Sequence, residues 1–333
     1  MFESPIPGPV LVTGGAGYIG SHVCKALADA GVQPICLDSL EKGHDWAVRW
    51  GPLEQGDVGD GRFVEEVFRR HKPRVVIHLA GYIEVGESVT QPERYLHNNA
   101  GKSHVLIGAA LRHGIEAFVF SSTCAVYGLP QSEQLAESHR LAPINPYASS
   151  KASVERALSA AAWRGLRSAS LRYFNASGAD ASGLIGEAHD PETHLIPLAI
   201  DAALGLRPTL IVHGSDYQTE DGSCVRDYVH VTDLADAHLR AVRRLLLQSS
   251  KTGRHDVFNL GSGVGYSVKQ VIDCVGQLAG QPVPHVFGAR RPGDSPRLVG
   301  CISKAQELLG WAPTLGLETQ IEDALRWRRS MAR

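Results

Sequence analysis

The chain has 333 residues, 43% of them hydrophobic and 20% charged, with a formal net charge of −2. That length suits about two compact domains, or one large α/β domain with a lobe, and the apolar share supports a packed core. The near-neutral balance excludes an electrostatic footprint for nucleic acid or an anionic membrane, so an anionic ligand must be caught by a few placed cations.

Met1 to Pro9 carries prolines and an acidic Glu3, with no cationic stretch leading into an apolar one. It reads as a loose leader before the first strand, not as a signal peptide. Val10-Leu11-Val12 is a short apolar run ending in a glycine-rich turn, after which Ile19, Val23, Ala26, Leu27 and Ala30 recur at helical spacing and Gly31 closes the segment. Pro34 to Asp38 reads as the next buried strand. Val75 to Leu79 and Phe118 to Phe120 are two more, separated by a helical stretch around Val105 to Leu111. Continuous apolar strands alternating with helices predict an α/β fold with a parallel, doubly wound (Rossmann) sheet.

Asn145 and Pro146 open a helix that places Val154, Ala157, Leu158 and Ala161 on one face, and Ala169 to Phe174 is a further strand. Beyond Asn175 the texture shifts to Gly, Asp, Pro and His. The expected division is a dinucleotide-binding domain over 1–175 and a smaller substrate-binding α/β lobe over 176–333, with about 225–247 returning to the first domain. No apolar run approaches the roughly 18 residues of a membrane span. The six cysteines, at 24, 36, 124, 224, 274 and 301, are dispersed with no C-x-x-C pair. Reduced thiols in a cytoplasm are the expectation, with no metal cage or disulfide framework.

In Thr13-Gly14-Gly15-Ala16-Gly17-Tyr18-Ile19-Gly20, the glycines at 14, 17 and 20 are spaced to turn tightly, to let pyrophosphate approach bare backbone, and to pack helix on sheet. Alone, such a pattern is as often a mere connecting turn. Asp38, at the end of the second strand, is the carboxylate this fingerprint needs about 20 residues on. It accepts from a ribose 2′-OH and repels a 2′-phosphate, which selects NAD over NADP. Tyr147 and Lys151 stand four apart at the start of a helix and share a face. A phenol ionises near pH 10, and bringing it to neutrality takes roughly 4 kcal/mol. A lysine ammonium one turn away, together with the cationic nicotinamide ring, is electrostatic help of the right sign. Thr123, ending the Phe118–Phe120 strand, offers a hydroxyl to the same substrate oxygen.

The motifs TGGAGYIGSH, VGESV, FSSTCAVYG, NPYASSK, LRYFNASGA, VRDYVHVTDLADAH, NLGSGVGYS and RRPGD, in this order from about Val10 to Trp327, resemble the extended short-chain dehydrogenase/reductases and, among them, the UDP-glucose 4-epimerases. The resemblance implies a redox-neutral cycle. Tyr147 takes the proton of the sugar 4-OH while NAD takes hydride from C4, the 4-keto sugar turns over, and hydride returns to the other face. It implies Tyr147, Lys151 and Thr123 as catalytic, although Thr123 stands where the family usually has serine. It implies Gly14, Gly17, Tyr18, Ile19, Gly20, Asp38, Asp57, Val58, Leu79, Ala80, Asn99, Ser121 and Tyr173 at the cofactor, with Tyr147 and Lys151. It implies Asn175, His194, Leu195, Arg226, Arg291, Asp294 and Leu298 at the UDP-sugar, with Thr123. Leu298 falls where a tyrosine in relatives limits the room near the sugar C2 substituent and a smaller residue admits N-acetyl sugars. A homodimer is the family's usual state.

Ile83 stands where many relatives have a lysine, and His194 where some have asparagine. Glu187, His189, Asp190, Glu192 and His194 look like metal ligands, but their irregular spacing reads as a solvated loop, and no metal is expected. Cys124 and Ala125 follow Thr123 where a dehydratase or decarboxylase of the same fold carries a carboxyl acid, which disfavours elimination chemistry. A 4-epimerase acting on a UDP-pentose or UDP-uronate stays open. A non-catalytic NAD sensor would be expected to lack the Tyr147–Lys151 pair.

Overall fold

A computed structural model describes residues 5–130, 132–247, 253–291 and 294–331. Met1 to Ser4 of the leader, and Pro292 and Gly293 of the RRPGD motif, lie outside them. The rest of the leader is not loose throughout: Ile6 is buried in the same apolar cluster as Val10 and Val32.

The chain runs β1 (Val10–Thr13), α1 (Tyr18–Asp29), β2 (Pro34–Asp38), β3 (Leu53–Gln55), α2 (Gly61–His71) and β4 (Val75–His78). It continues with α3 (Val85–Thr90), α4 (Pro92–Tyr95), a π-helical turn at Leu96–Gly101, α5 (Lys102–Arg112), β5 (Ala117–Thr123), α6 (Pro146–Ala162) and β6 (Arg167–Tyr173). Then come β7 (Asn175–Ser177), α7 (Leu195–Ala203), β8 (Leu210–His213), β9 (Val225–His230), α8 (Val231–Leu247) and β10 (Arg254–Leu260). The last elements are β11 (Gly265–Ser267), α9 (Val268–Ala279), β12 (His285–Gly288), β13 (Arg297–Leu298), α10 (Ser303–Leu309) and α11 (Leu317–Met331).

Among the described residues, seven parallel strands form the main sheet in the order β10-β6-β5-β4-β1-β2-β3. Side chains alternate across a strand, and both faces here are covered by helices, so apolar residues run on successive positions of the central strands. Val10, Val12, Val75, Ile77 and Val119 face a core shared with α1, α8 and α10. Leu11, Val76, Phe118 and Phe120 face the opposite core, with α2, α5 and α6. Asn145 starts α6 as the sequence indicates, its side-chain oxygen accepting from the Ala148 N–H at 2.8 Å ahead of Pro146.

The chain order reverses between β1 and β4, which opens a crevice at the carboxyl ends of these strands. Beyond it, β7, β9, β11 and β13 make a small mixed sheet, β8 and β12 pair, and α7, α9 and α11 close a separate apolar core. The 225–247 segment divides between the two bodies: α8 packs on α1, while β9 sits in the small sheet, paired with β7, β11 and β13. β10, further along, supplies the outer strand of the main sheet. No helix among the described residues is long and apolar enough to cross a membrane.

Trp311 fastens the segment after α10 to the main body. It is 1% exposed, lies in the α1–α8 core, and donates from Nε1 to the Asp233 carbonyl at 2.9 Å. Trp311→Ala leaves a cavity and an orphaned carbonyl, so urea unfolding followed by circular dichroism should show a loss of about 3–5 kcal/mol. A loss below about 1 kcal/mol would mean that the core collapses around the gap.

Candidate active site

The glycine turn is built by close approach of backbone. Gly14 sits at φ +71°, and a Cβ there would meet the Ala80 nitrogen at 2.6 Å; at Gly20 it would meet the Gly14 carbonyl oxygen at 1.9 Å. The turn therefore lies flat on the end of β4, and α1 begins with Gly17 as its extended N-cap and no side-chain cap. Its first N–H groups face a cavity of about 470 Å³ in the crevice, a cradle suited to a pyrophosphate.

Gly14, Gly17, Tyr18, Ile19 and Gly20 line this cavity, as do Asp38, Asp57 and Val58 at one end and Leu79 and Ala80 in its wall. Asp38 is oriented by the backbone N–H groups of Ala16, at 3.0 Å, and Leu40, at 2.9 Å. Burial raises its carboxyl above the ordinary range, while the two N–H groups oppose the rise. Asp57 is held by Lys102 at 2.6 Å and by the Gly59 N–H at 2.7 Å.

At the other end Ser121, Thr123, Tyr147, Lys151 and Tyr173 converge from β5, α6 and β6. The Thr123 hydroxyl and the Tyr147 phenol face the same part of the cavity wall. Burial pushes the Tyr147 phenol up to about 12, against the opposing influence of the nearby Thr123 hydroxyl. Burial also pulls the Lys151 ammonium down to about 8. Its Nζ donates to the Ser121 carbonyl at 2.9 Å and lies 6.0 Å from the Tyr147 ring centre. Lys151 alone therefore does not bring Tyr147 toward neutrality: desolvation outweighs it. Tyr173 is pinned by His238 Nε2; His238 donates its Nδ1 proton to the Leu234 carbonyl at 2.8 Å, which fixes the tautomer. Burial pushes the Cys124 thiol up to about 12, away from the thiolate that reactivity needs.

Asn175, His194, Leu195 and Leu298 line the same cavity from the second lobe. Four of the expected residues do not. Asn99 spends its amide on the Tyr82 backbone, accepting from the N–H at 2.8 Å and donating to the carbonyl at 2.9 Å; its neighbour Asn98 is the one on the cavity. Arg226 and Asp294 pair with each other at 3.3 Å, and Arg291 is exposed. A guanidinium and a carboxylate in reach of one another settle into a pair, which spacing in the sequence does not reveal.

Other residues were not foreseen. Lys42 and His44, in the loop after β2, lie on the cavity and reach across to the second lobe. Lys42 donates to the Asp190 carbonyl at 2.9 Å, and His44 Nε2 lies 2.7 Å from the Ala188 carbonyl. Lys42 Nζ also comes within 3.9 Å of Glu84, next to Ile83, so a cation reaches the stretch where the family's lysine is missing. Nothing in the sequence signals this, because the cation comes from a different loop.

The 187–194 loop is solvated only in part: Asp190, Pro191 and Thr193 are exposed, but the other candidate ligands pack together. Glu187, His189, Glu192 and His194 place their ligating atoms within 4.8 Å of one another, and Glu187 is buried. His194 hydrogen-bonds Glu187, and His189 Nδ1 lies 3.0 Å from the same carboxylate. For Glu187, burial acts upward, but the two imidazoles hold it well below the carboxylate range; for His189 burial acts downward, and Glu187 and Glu192 hold it well above the imidazole range. The imidazoles and carboxylates of the cluster satisfy one another, and a metal cation would compete with protons for the same atoms.

A depressed carboxyl contributes stability above its unfolded value, about pH 4.5, and loses it as pH falls; a raised imidazole contributes below about pH 6.5 and loses it as pH rises. His189→Gln should therefore lower Tm most between about pH 5 and 6, with the gap narrowing toward about pH 10. A gap that stays constant over that range would mean that His189 acts by packing alone.

The family model for the NAD dependent epimerase/dehydratase family matches residues 10–261. A UDP-glucose 4-epimerase of Rhizobium meliloti (strain 1021) is 52% identical over 319 residues, 96% of each chain. The crystal structure of UDP-glucose 4-epimerase from Brucella ovis in complex with NAD is 45% identical, with a TM-score of 0.91 over 95% of this chain and 97% of its own. That of the Bifidobacterium longum enzyme with NAD+ and UDP is 35% identical, with a TM-score of 0.90 over 96% and 98%. With a glycine turn, an Asp38 and a Tyr147–Lys151 helix meeting in one cavity, the chain belongs to the NAD dependent epimerase/dehydratase family.

Proposed function

We propose that the protein is an NAD-dependent nucleotide-sugar 4-epimerase that interconverts UDP-glucose and UDP-galactose. The observation that carries this reading is the joint position of the Tyr147 and Thr123 hydroxyls beside Lys151, in the cavity that also holds the glycine turn and Asp38. The residues beside Thr123, Cys124 and Ala125, carry no carboxyl acid, so the wall can move a proton at one carbinol oxygen and has no acid there for elimination.

The cradle fits NAD. The α1 N-terminus and the Gly14–Gly20 turn would hold the pyrophosphate, Asp38 the adenosine ribose, and Lys151 and Tyr173 the nicotinamide end. When bound, NAD supplies the hydride acceptor for sugar C4 and gives the hydride back. Tyr147 takes the 4-OH proton and later returns it, while Thr123 holds the same oxygen in place. With its phenol starting from about 12, Tyr147 needs the positive charge of Lys151 and of the nicotinamide together. Asn175, His194, Leu195, Arg226, Arg291 and Asp294 are assigned to the UDP. Arg226 would exchange Asp294 for the diphosphate, freeing Asp294 for a ribose hydroxyl. Six free cysteines and no membrane-spanning helix among the described residues support a cytoplasmic location, and the family's homodimer belongs to the same reading.

The deciding experiment is turnover of UDP-galactose by purified protein without added nucleotide. Interconversion with no net NADH is the expected result; stoichiometric NADH accumulation would make it a dehydrogenase. Tyr147→Phe should retain NAD and lose about 10²–10⁴-fold in kcat, and Lys151→Met should move the rising limb of the pH profile to alkaline values. Activity within a few-fold of the parent would remove Tyr147 from the chemistry.

Leu298 lies on the cavity with more room than a tyrosine would leave. We therefore expect measurable, weaker turnover of UDP-N-acetylhexosamines, with Leu298→Tyr lowering their relative kcat/KM by a factor worth about 1–3 kcal/mol. An unchanged ratio would show that Leu298 is not the gate.

A further inference from the structure

Tyr147, Lys151 and Glu155 follow one another at four-residue intervals on the same face of α6. The first two reach the cavity, but Glu155 does not line it. It is 4% exposed and binds two strands at once. Ser122, the β5 residue beside Thr123, donates its hydroxyl to Oε1 at 2.5 Å. Arg172, the β6 residue before Tyr173, grips both oxygens, Nε to Oε1 at 3.0 Å and Nη2 to Oε2 at 2.6 Å. Arg172 continues to the Tyr127 hydroxyl at 2.8 Å, which donates to Asn259 of β10 at 2.6 Å. All five side chains are essentially out of solvent.

A buried ion pair is a poor source of stability, because desolvating two charges offsets their attraction and a well-packed apolar pair often does as well. What such a pair can supply is a fixed relative placement of the elements it joins. The three elements joined here, α6, β5 and β6, are those that carry Tyr147 and Lys151, Ser121 and Thr123, and Tyr173. We propose that Glu155 is a positioning residue: through Ser122 and Arg172 it holds the Tyr147 hydroxyl against that of Thr123, so that both meet one substrate oxygen. This deepens, and rests on, the epimerase reading. The sensitivity is steep, since a shift of about 1 Å between reacting groups can cost about 10²-fold in rate.

The experiment compares holoenzymes of the parent, Ser122→Ala, and the double variant Glu155→Leu/Arg172→Met, which replaces both charges by apolar groups of similar size. Each is measured for Tm and for kcat and KM with UDP-galactose, and the parent and Ser122→Ala also by crystal structure. The expected result is a Tm within a few degrees of the parent, little change in KM, and kcat lower by about 10-fold in Ser122→Ala and about 10²-fold in the double variant. The distance between the Tyr147 and Thr123 hydroxyl oxygens should be longer in the Ser122→Ala crystal than in the parent crystal. Parent-like kcat in both variants overturns the proposal, as does a fall in Tm that tracks the fall in kcat while KM rises, which marks a purely structural role. If the double variant does not fold, Ser122→Ala decides, and a Tyr147–Thr123 hydroxyl distance unchanged from the parent crystal overturns the proposal. A parent inactive on UDP-sugars would sink the epimerase reading instead, and the crystal comparison would still settle the role of Glu155.

Discussion

The site depends on one contact that a side chain would forbid: the backbone of Gly14 lying against that of Ala80. It lets the turn after β1 rest on the end of β4, with the Gly14 N–H donating to the Leu37 carbonyl and the Leu79 N–H to that of Thr13. The same place is where the sheet reverses its order. The strands to one side deliver Asp38, and those to the other deliver Thr123 and Tyr173. A single backbone approach thus helps set the distance between Asp38 at one end of the cavity and Thr123 and Tyr173 at the other.

Around that frame, burial decides the electrostatics. It acts in opposite directions on the two ends of one helical turn, up on the Tyr147 phenol and down on the Lys151 ammonium. Each group is thereby moved toward its neutral form, which is the less useful one for binding charge but the more responsive to a charge that arrives. An incoming cationic ring changes Tyr147 more in this setting than it would at a wet surface, because the same field is less screened.

Much of this was legible because it is local. The β1 turn, the Asn145-Pro146 start of α6 and the Tyr147–Lys151 pair each depend on a few consecutive residues whose spacing carries the geometry. Five of the seven strands of the main sheet were legible, the central ones because both their faces are covered and successive residues such as Val10, Leu11 and Val12 are apolar; β3 and β10, with Glu54, Gln55, Arg254, His255 and Asp256, carry no such run. What escaped is the choice of partner. Asn99 has the right chemistry for a cofactor, but the Tyr82 backbone claims it. Arg226 and Asp294 find each other, and Lys42 arrives from a loop with no period to betray it. A loop has no repeat from which convergence can be read, so the irregular spacing of Glu187 to His194 concealed a packed cluster. Glu155 carried no signal of its own beyond its place on a face shared with Tyr147 and Lys151.

The Glu187 cluster also alters how the molecule meets its surroundings. The formal charge of −2 counts every histidine as neutral. His189 is shifted toward keeping its proton, so the cluster offsets part of that charge. A chain with so small a net charge exerts little long-range pull or push on an anionic nucleotide. Encounter rates should therefore depend only weakly on ionic strength, leaving recognition to the few cations at the rim. It also means that copies of the chain repel one another little at a distance.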